Sequence, residues 1–539
     1  MINNAKRYTF QKSRCGEMVP SYILADGNAQ PLHSMIDPKK EAERLVSIIG
    51  SADFVIFLGL GGGFAPEAAL EKTNANIIAV DFNKDGITEL LTGRDYSKLL
   101  NNDRFSLLVD YSCEELKSYI TANFNPVFCS GIKTIPLRTR IEQDVSKFEK
   151  TAIAIQEAIE TISGDYSVQA HFGKRWFSNI IRNIITAEKS GNNFLADKKT
   201  FSANKIAIAA AGPSLDKQIP ALAEFKTQGG FIISSDTALG ALLFNNIQPD
   251  AVVSIDCQHI SYYHFMGSNI RSSMQKIPLI LDIASPPLLG SMTDSPVFFS
   301  GGHPLTRYLY AHWRRFPQLD TSGGNVTYVC LSLAQFLNAQ EITIFGADFS
   351  YINCSAYARG TYIYPYFHNR QNRFKTLEAQ ASAFLYRSPF LPPENEQKDK
   401  QKKNYYETHS LRFYRKRLEE KASKMTAKIS CALGHGAPIN LIKNEQEQLP
   451  AYAETNEQID KLSAVDFLNQ YKKDIIALPE INTMSAKLNE KEKQILTTLL
   501  PYAAAVKKRN PKLGLESLIS EVKRRAIGEI ESVLRQFKL

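Results

Sequence analysis

Two apolar runs in this chain end abruptly in glycine, and this punctuation constrains the fold more than any other feature. Phe54-Val55-Ile56-Phe57-Leu58 runs into Gly59-Leu60-Gly61-Gly62-Gly63. Residues 205–211, KIAIAAA, run into Gly212-Pro213-Ser214. A short apolar run bounded by a turn signal reads as a buried strand. A strand that feeds a glycine turn and then a helix is the repeating unit of a parallel α/β sheet. The pattern occurs twice, so the expected class is α/β.

The chain has 539 residues, more than one ordinary core holds. At ~100–200 residues per domain, three units are expected. Residues 1–165 read as a Rossmann-like N-terminal domain, 166–393 as a central doubly wound α/β domain, and 394–539 as a mainly helical C-terminal domain. In the first, strands are expected at 54–58, 77–80, 106–109 and 126–129, with helices at 65–71 and 141–162. In the second, strands are expected at 205–211, 231–234, 251–255, 279–283 and 341–345. The polar run 394–403 reads as a linker or loop. Leu515, Leu518, Ile519, Val522, Ile530, Val533, Leu534 and Phe537 mark the apolar side of a final helix.

Lys and Arg number 64 against 55 Asp and Glu, a net charge of +9. The excess is spread along the chain and suits a small anionic substrate as well as it suits nucleic acid; of the two, the small substrate is the partner expected, and nucleic acid is not. Seven scattered cysteines form no C-x-x-C pair and no zinc spacing, as in a reduced compartment. No apolar run reaches spanning length and the N-terminus lacks a signal-peptide core. The expectation is a cytoplasmic chain without membrane insertion.

Each glycine turn is a candidate nucleotide site. Gly59, Gly61 and Gly63 allow close approach of a phosphate, and Asp81, after the next strand, suits ribose hydroxyls. A tight turn without a ligand has the same signature. In the second unit, Gly212 lets a ligand approach, Pro213 suits the first helical turn and Ser214 suits its cap. A capped helix alone explains the same residues. Two following strands end in Ser234-Ser235-Asp236 and Ser254-Ile255-Asp256; these aspartates bind a base or ribose, or cap the next helices. Ser322, Gly323 and Gly324 precede a helix at 326–338, a second start able to meet phosphate oxygens. The strand at 341–345 then ends in Gly346-Ala347-Asp348.

A tyrosine-dense loop follows, with Tyr351, Tyr357, Tyr362, Tyr364 and Tyr366. Phenolic hydroxyls donate to a departing phosphate without adding a full charge. His368 closes the loop, before a helix expected to turn Phe374, Leu377, Ala381, Phe384 and Leu385 inward. An imidazole is suited to general-base work at neutral pH. A surface histidine near a helix start is the other reading.

In order, Arg175-Trp176 with Asn179, AAGPSLD at 210–216, SSDTAL at 234–239, DAVVSID at 250–256 and the long string GGNVTYVCLSLAQFLNAQEITIFGADF at 323–349 form a recognisable series. With Gly434-His435-Gly436-Ala437-Pro438-Ile439 behind them, they resemble the motility-associated factor (Maf) flagellin glycosyltransferases, grouped with 6-hydroxymethylpterin diphosphokinase-like proteins. The central unit is also similar to bacterial sialyltransferases that use CMP-sialic acid, through GPS at 212–214, TSG at 321–323, GADF at 346–349 and SAYA at 355–358.

The resemblance implies a sialyltransferase-like fold and inverting transfer of a nonulosonic sugar from a CMP-activated donor to Ser or Thr of flagellin. It implies His368 as base and Tyr357 and Tyr351 on the leaving phosphate. Gly212, Pro213, Ser214, Asp236, Asp256, Ser322, Gly323, Gly324 and Asp348 would then contact the nucleotide. The partners implied are flagellin and the nucleotide sugar; no permanently bound cofactor and no metal are expected. The alternatives are an ATP-dependent diphosphotransferase acting on a pterin, and a non-catalytic flagellin- or nucleotide-sugar-binding protein.

Overall fold

The computed structural model describes residues 7–190, 204–392, 405–442, 462–481 and 488–536. The linker expected at 394–403, and Phe537, lie outside them. Their contacts separate into two units: Met1–Gly173 with Pro479–Asn489 and Leu500–Val522, and Lys174–Leu478 with Glu490–Leu499 and Lys523–Leu539.

The first unit opens with an antiparallel sheet of β1 (Tyr8–Lys12), β2 (Met18–Ile23) and β3 (Ala29–Pro31). A parallel sheet follows, made of β4 (Phe54–Leu58), β5 (Asn76–Asp81), β6 (Phe105–Val109) and β7 (Ile132–Pro136), ordered β6-β5-β4-β7. Every residue of β4 is buried. Val55 and Phe57 enter one core with Phe64 and Ile87. Phe54, Ile56 and Leu58 enter another with Phe148, Ile155 and Ile162. This two-sided burial explains why β4 is uniformly apolar rather than alternating.

The strand expected at 126–129 is a turn, and the sheet is completed by β7 instead. Asn125 explains the difference. Its Oδ1 accepts from the Val127 amide at 2.8 Å, and its carbonyl accepts from Phe128 and Cys129 at 3.0 and 2.9 Å. Local bonding of an asparagine to its own backbone outweighs the apolar content of the next residues. The helix expected at 141–162 begins at Val145 and runs to Ser190.

The second unit is built on a seven-stranded parallel sheet ordered β12-β11-β10-β9-β8-β13-β16. Its strands are β8 (Lys205–Ala209), β9 (Phe231–Ser235), β10 (Ala251–Ser254), β11 (Leu279–Asp282), β12 (Pro296–Phe299), β13 (Glu341–Phe345) and β16 (Lys428–Cys431). Two short strands, β14 (Tyr351–Ile352) and β15 (Tyr405–Tyr406), pair antiparallel beside it. On one face Ile206, Ile208, Ile233 and Val253 pack against the helix Val326–Phe336. On the other, Ala207, Ala209 and Ile232 meet Leu215, Leu222, Ala238 and Leu242 of the flanking helices. Burying each large side chain stabilises the sheet by about 1.5–3 kcal/mol.

Five successive strands, β8 to β12, run outward in order, and the chain then returns to place β13 on the other side of β8. The strand order therefore reverses between β8 and β13. In open α/β sheets a crevice forms at the carboxyl ends of such a pair. Asn179 and Asn183 tie the neighbouring strand ends: Asn179 donates to the carbonyls of Cys257 and Ala284, and Asn183 to those of Ile283 and Ser285. Among the described residues no helix is long and apolar enough to cross a membrane. None of the seven cysteines, all among the described residues, is in a disulfide.

A candidate nucleotide pocket at the strand reversal

Gly212 and Gly346 close the ends of β8 and β13, joined by a hydrogen bond of 2.8 Å from the Gly212 amide to the Gly346 carbonyl. A Cβ at Gly212 would collide with the Asp348 carboxylate and the Gly346 carbonyl. Gly346 has φ +66°, which glycine adopts without strain. Above this floor lies a pocket of about 390 Å³. Its size falls in the ~300–1,000 Å³ range of small-molecule sites.

One wall is the start of the helix Val326–Phe336. The Asn325 side chain caps it by accepting from the Tyr328 amide at 3.0 Å. Val326 and Thr327 line the pocket, and their amides take no acceptor among the described residues. Two free N–H groups at a helix start attract an anion. Facing them are Tyr351, Tyr357 and Tyr414. Burial pushes the Tyr357 hydroxyl up to about 12, with Arg387 opposing the shift, so it stays a proton donor at neutral pH.

Arg387 supplies the pocket's charge. Its guanidinium lies 4.0 Å over the Phe384 ring, and it pairs with no carboxylate among the described residues. An arginine whose guanidinium sits over a ring and carries no carboxylate partner keeps its donors for a phosphate or carboxylate.

Asp348 lies at the floor, 4% exposed. Its Oδ2 accepts from the Ser214 amide at 2.7 Å, and it also accepts from the Gly436 amide. Burial raises the carboxyl above its ordinary value, with the Ser214 bonds acting against that rise. Asp348 thus fills the anion position at the start of the helix Leu215–Thr227, where a phosphate was expected. The anion place left open is at Val326 and Thr327.

Of the residues expected at the site, Gly212, Asp348, Tyr351 and Tyr357 line this pocket, and the others do not. Ser214 makes no cap; its hydroxyl accepts from the His435 amide at 3.0 Å, and neither it nor Pro213 lines the cavity. Ser322 turns to Asp320 and Tyr328, while Gly323 packs under the Tyr328 ring and Gly324 lies near Tyr414. Asp256 accepts from the Gln258 amide at 2.9 Å, and burial raises its carboxyl. His368 stands on the exposed end of the helix Ile363–His368, with Gln371 3.1 Å away, outside the pocket. Phe374, expected inward, is 88% exposed.

Asp236 does not cap the following helix, one of the two roles expected of it. It is 1% exposed, and Ser235, not Asp236, caps the following helix. Its Oδ2 accepts from the Ser254 hydroxyl at 2.7 Å. Its Oδ1 accepts from the Thr237 amide at 2.6 Å and lies 3.2 Å from His264 Nδ1. Burial works to raise this carboxyl, but His264 and the hydrogen bonds bring it below its ordinary value. The His264 ring stacks on Tyr362 at 4.5 Å.

The glycine turn of the first unit is filled by the chain itself. Asp81 is fully buried and accepts from the Leu60 and Phe82 amides at 2.8 and 2.7 Å. Arg140, 1% exposed, pairs with it at 2.8 Å. The Gly62 amide donates to His33 Nε2 at 2.8 Å, and Leu137 packs beside Gly61. Gly59, Gly61, Gly63 and Asp81 therefore form a turn packed by the chain's own side chains, with Asp81 buried against Arg140 and the turn amides.

Residues 178–354 match the family described as 6-hydroxymethylpterin diphosphokinase MptE-like. The structure resembles that of the MAf glycosyltransferase from Magnetospirillum magneticum AMB-1, over 99% of this chain and 91% of that one, with a TM-score of 0.57 and 13% identity. At that identity the likeness is one of fold. The resemblance to the Maf and 6-hydroxymethylpterin diphosphokinase-like proteins drawn from the sequence motifs is borne out by both. Three uncharacterized proteins of Treponema pallidum (strain Nichols) share 40% identity over 96 residues, 33% over 117 and 24% over 197. These stretches cover 34%, 52% and 40% of those proteins, so the chain spans a third to a half of the relatives it matches.

Proposed function

We propose that this chain is a glycosyltransferase that moves a nonulosonic sugar from a CMP-activated donor to Ser or Thr hydroxyls of flagellin in the cytoplasm. The observation that carries the reading is the pairing, in one pocket, of the free Val326 and Thr327 amides with the uncompensated Arg387 guanidinium. The fold shared with a Maf glycosyltransferase supports it. In the reaction the acceptor oxygen bonds to the anomeric carbon while the bond from that carbon to the phosphate oxygen breaks. Negative charge grows on the departing CMP phosphate. The two amides, Arg387 and the Tyr357 hydroxyl are preorganised donors for that charge. Attack from the face opposite the leaving group inverts the anomeric centre.

The test is incubation of the purified chain with a CMP-activated nonulosonic acid and unmodified flagellin. Release of CMP together with a flagellin mass gain of one sugar residue supports the reading. Intact donor and unchanged flagellin mass reject it. A second reading, diphosphate transfer from ATP to a hydroxymethylpterin, is favoured by the match of residues 178–354. Formation of a pterin diphosphate from ATP, magnesium and 6-hydroxymethylpterin would select it.

A further inference from the structure

Asp236 and His264 form a buried carboxylate–imidazole pair beside the pocket that the roles above leave unused. The pair is built by two strand ends and one short helix. Asp236 follows β9, Ser254 ends β10, and His264 lies on the 3₁₀ helix His259–Phe265. Ser254 holds one carboxylate oxygen at 2.7 Å, and the Thr237 amide holds the other at 2.6 Å. The carboxylate cannot turn away without losing both bonds. It faces His264 Nδ1 at 3.2 Å. Thr237 Oγ1 lies 3.3 Å from the same nitrogen, and Thr237 itself lines the pocket.

The tautomer follows from these contacts. A carboxylate only accepts, so the ring nitrogen that faces it carries the proton. Nε2 then holds a lone pair. It has no hydrogen-bond partner among the described residues, and the side chain keeps 11% of its surface open. The ring cannot swing freely, because Tyr362 stacks on one face and Asp236 holds one edge. A buried, fully bonded carboxylate that fixes the orientation of an imidazole is the arrangement that makes histidine an effective base.

We infer that His264 is the base of sugar transfer, with Asp236 as the residue that positions it and Ser254 and Thr237 holding Asp236. The inference rests on the glycosyl-transfer reading and deepens it. Nε2 takes the proton of the acceptor hydroxyl as its oxygen bonds to the anomeric carbon. CMP leaves with the electron pair of the broken bond. The proton on Nε2 then passes to solvent, which returns the imidazole to its starting form. His368 differs in setting: it is exposed, and its side chain meets Gln371 rather than a buried carboxylate.

The experiment compares the full-length wild-type chain with His264→Ala, His264→Gln, Asp236→Asn and His368→Ala. Its substrates are a CMP-activated nonulosonic acid and flagellin. Loss of a general base is expected to lower kcat by ~10²–10⁴-fold in both His264 variants. The donor KM should stay within about twofold, because the phosphate donors are untouched. Added imidazole should restore part of the His264→Ala rate and none of the His264→Gln rate, since only alanine leaves room for it. Asp236→Asn should lower kcat with the donor KM retained, and His368→Ala should match the wild type. Wild-type rates in His264→Ala overturn the inference and leave the glycosyl-transfer reading standing. So does a rate lost together with Tm and donor binding and not restored by imidazole, because the residue is then structural. A wild-type chain that transfers no sugar rejects the glycosyl-transfer reading and this inference with it.

Discussion

The Ser214 amide donates to the Asp348 carboxylate at 2.7 Å, closing a contact between residues 134 positions apart in the chain. This bond ties the turn after β8 to the loop after β13, the two strands between which the sheet order reverses. It also decides where an anion can sit. With Asp348 occupying one helix start, the free amides of Val326 and Thr327 are the helix start that the proposed reaction leaves for a phosphate. Replacing Asp348 by alanine leaves the buried Ser214 amide and the half-buried Gly436 amide without their acceptor. The expected cost is about 1–3 kcal/mol, read as a lower urea midpoint, and Asp348→Asn should lose less because its carbonyl still accepts from Ser214.

Arg387 is exposed with its guanidinium over the Phe384 ring, so the proposed role predicts a loss of binding and little loss of stability when it is removed. A charge-assisted bond to phosphate is worth ~1.5–3 kcal/mol, or roughly 10–100-fold in affinity. Calorimetric titration with CMP should show that weakening in Arg387→Ala. The Tm of the free protein should stay within about a degree of wild type, as for most exposed substitutions.

The Asp81–Arg140 pair predicts that the first unit's glycine turn is structural. Both side chains are buried, and Asp81 also satisfies the Leu60 and Phe82 amides. Arg140→Met leaves that carboxylate buried and unpaired, at an expected cost of ~3–5 kcal/mol. Thermal unfolding of the variant should show the loss, and CMP binding by the refolded or surviving folded protein should be unaltered.

Asp320 gives a pH dependence with a defined sign. Burial acts to raise its carboxyl, but the Tyr328 hydroxyl, Ser322 and Lys421 outweigh burial and hold it at about 2. A carboxyl depressed in the folded state stabilises the fold above its unfolded value near ~3.9. That stability is lost as pH falls through the folded value. The side chain is 36% exposed, so solvent screening reduces the contribution to about 1 kcal/mol. Asp320→Asn should therefore unfold at lower urea than wild type at pH 7, and the gap should close between pH 4 and about 2.

Much of the fold was legible because parallel strands buried on both faces read as unbroken apolar runs, as Phe54–Leu58 does. Pro296–Phe299 and Lys428–Cys431 were not seen. One begins in proline and the other mixes polar with apolar residues, since they are the edge strands of the sheet. At the site, Gly212, Tyr351 and Tyr357 were legible from turn chemistry and motif order. Arg387 was not, because an unpaired cation is recognised only once its neighbours are known. The same holds for His264, whose setting comes from Asp236, Thr237 and Tyr362 on separate elements. His368 shares the family's order of motifs, and order along the chain does not say which way a side chain at a helix end faces.

A crystal structure of the protein grown with CMP tests the central claim most directly. The account predicts the phosphate within hydrogen-bond distance of the Val326 and Thr327 amides and of Arg387. A phosphate bound at the Gly59–Gly63 turn, or at the Ser214 amide with Asp348 displaced, would contradict it.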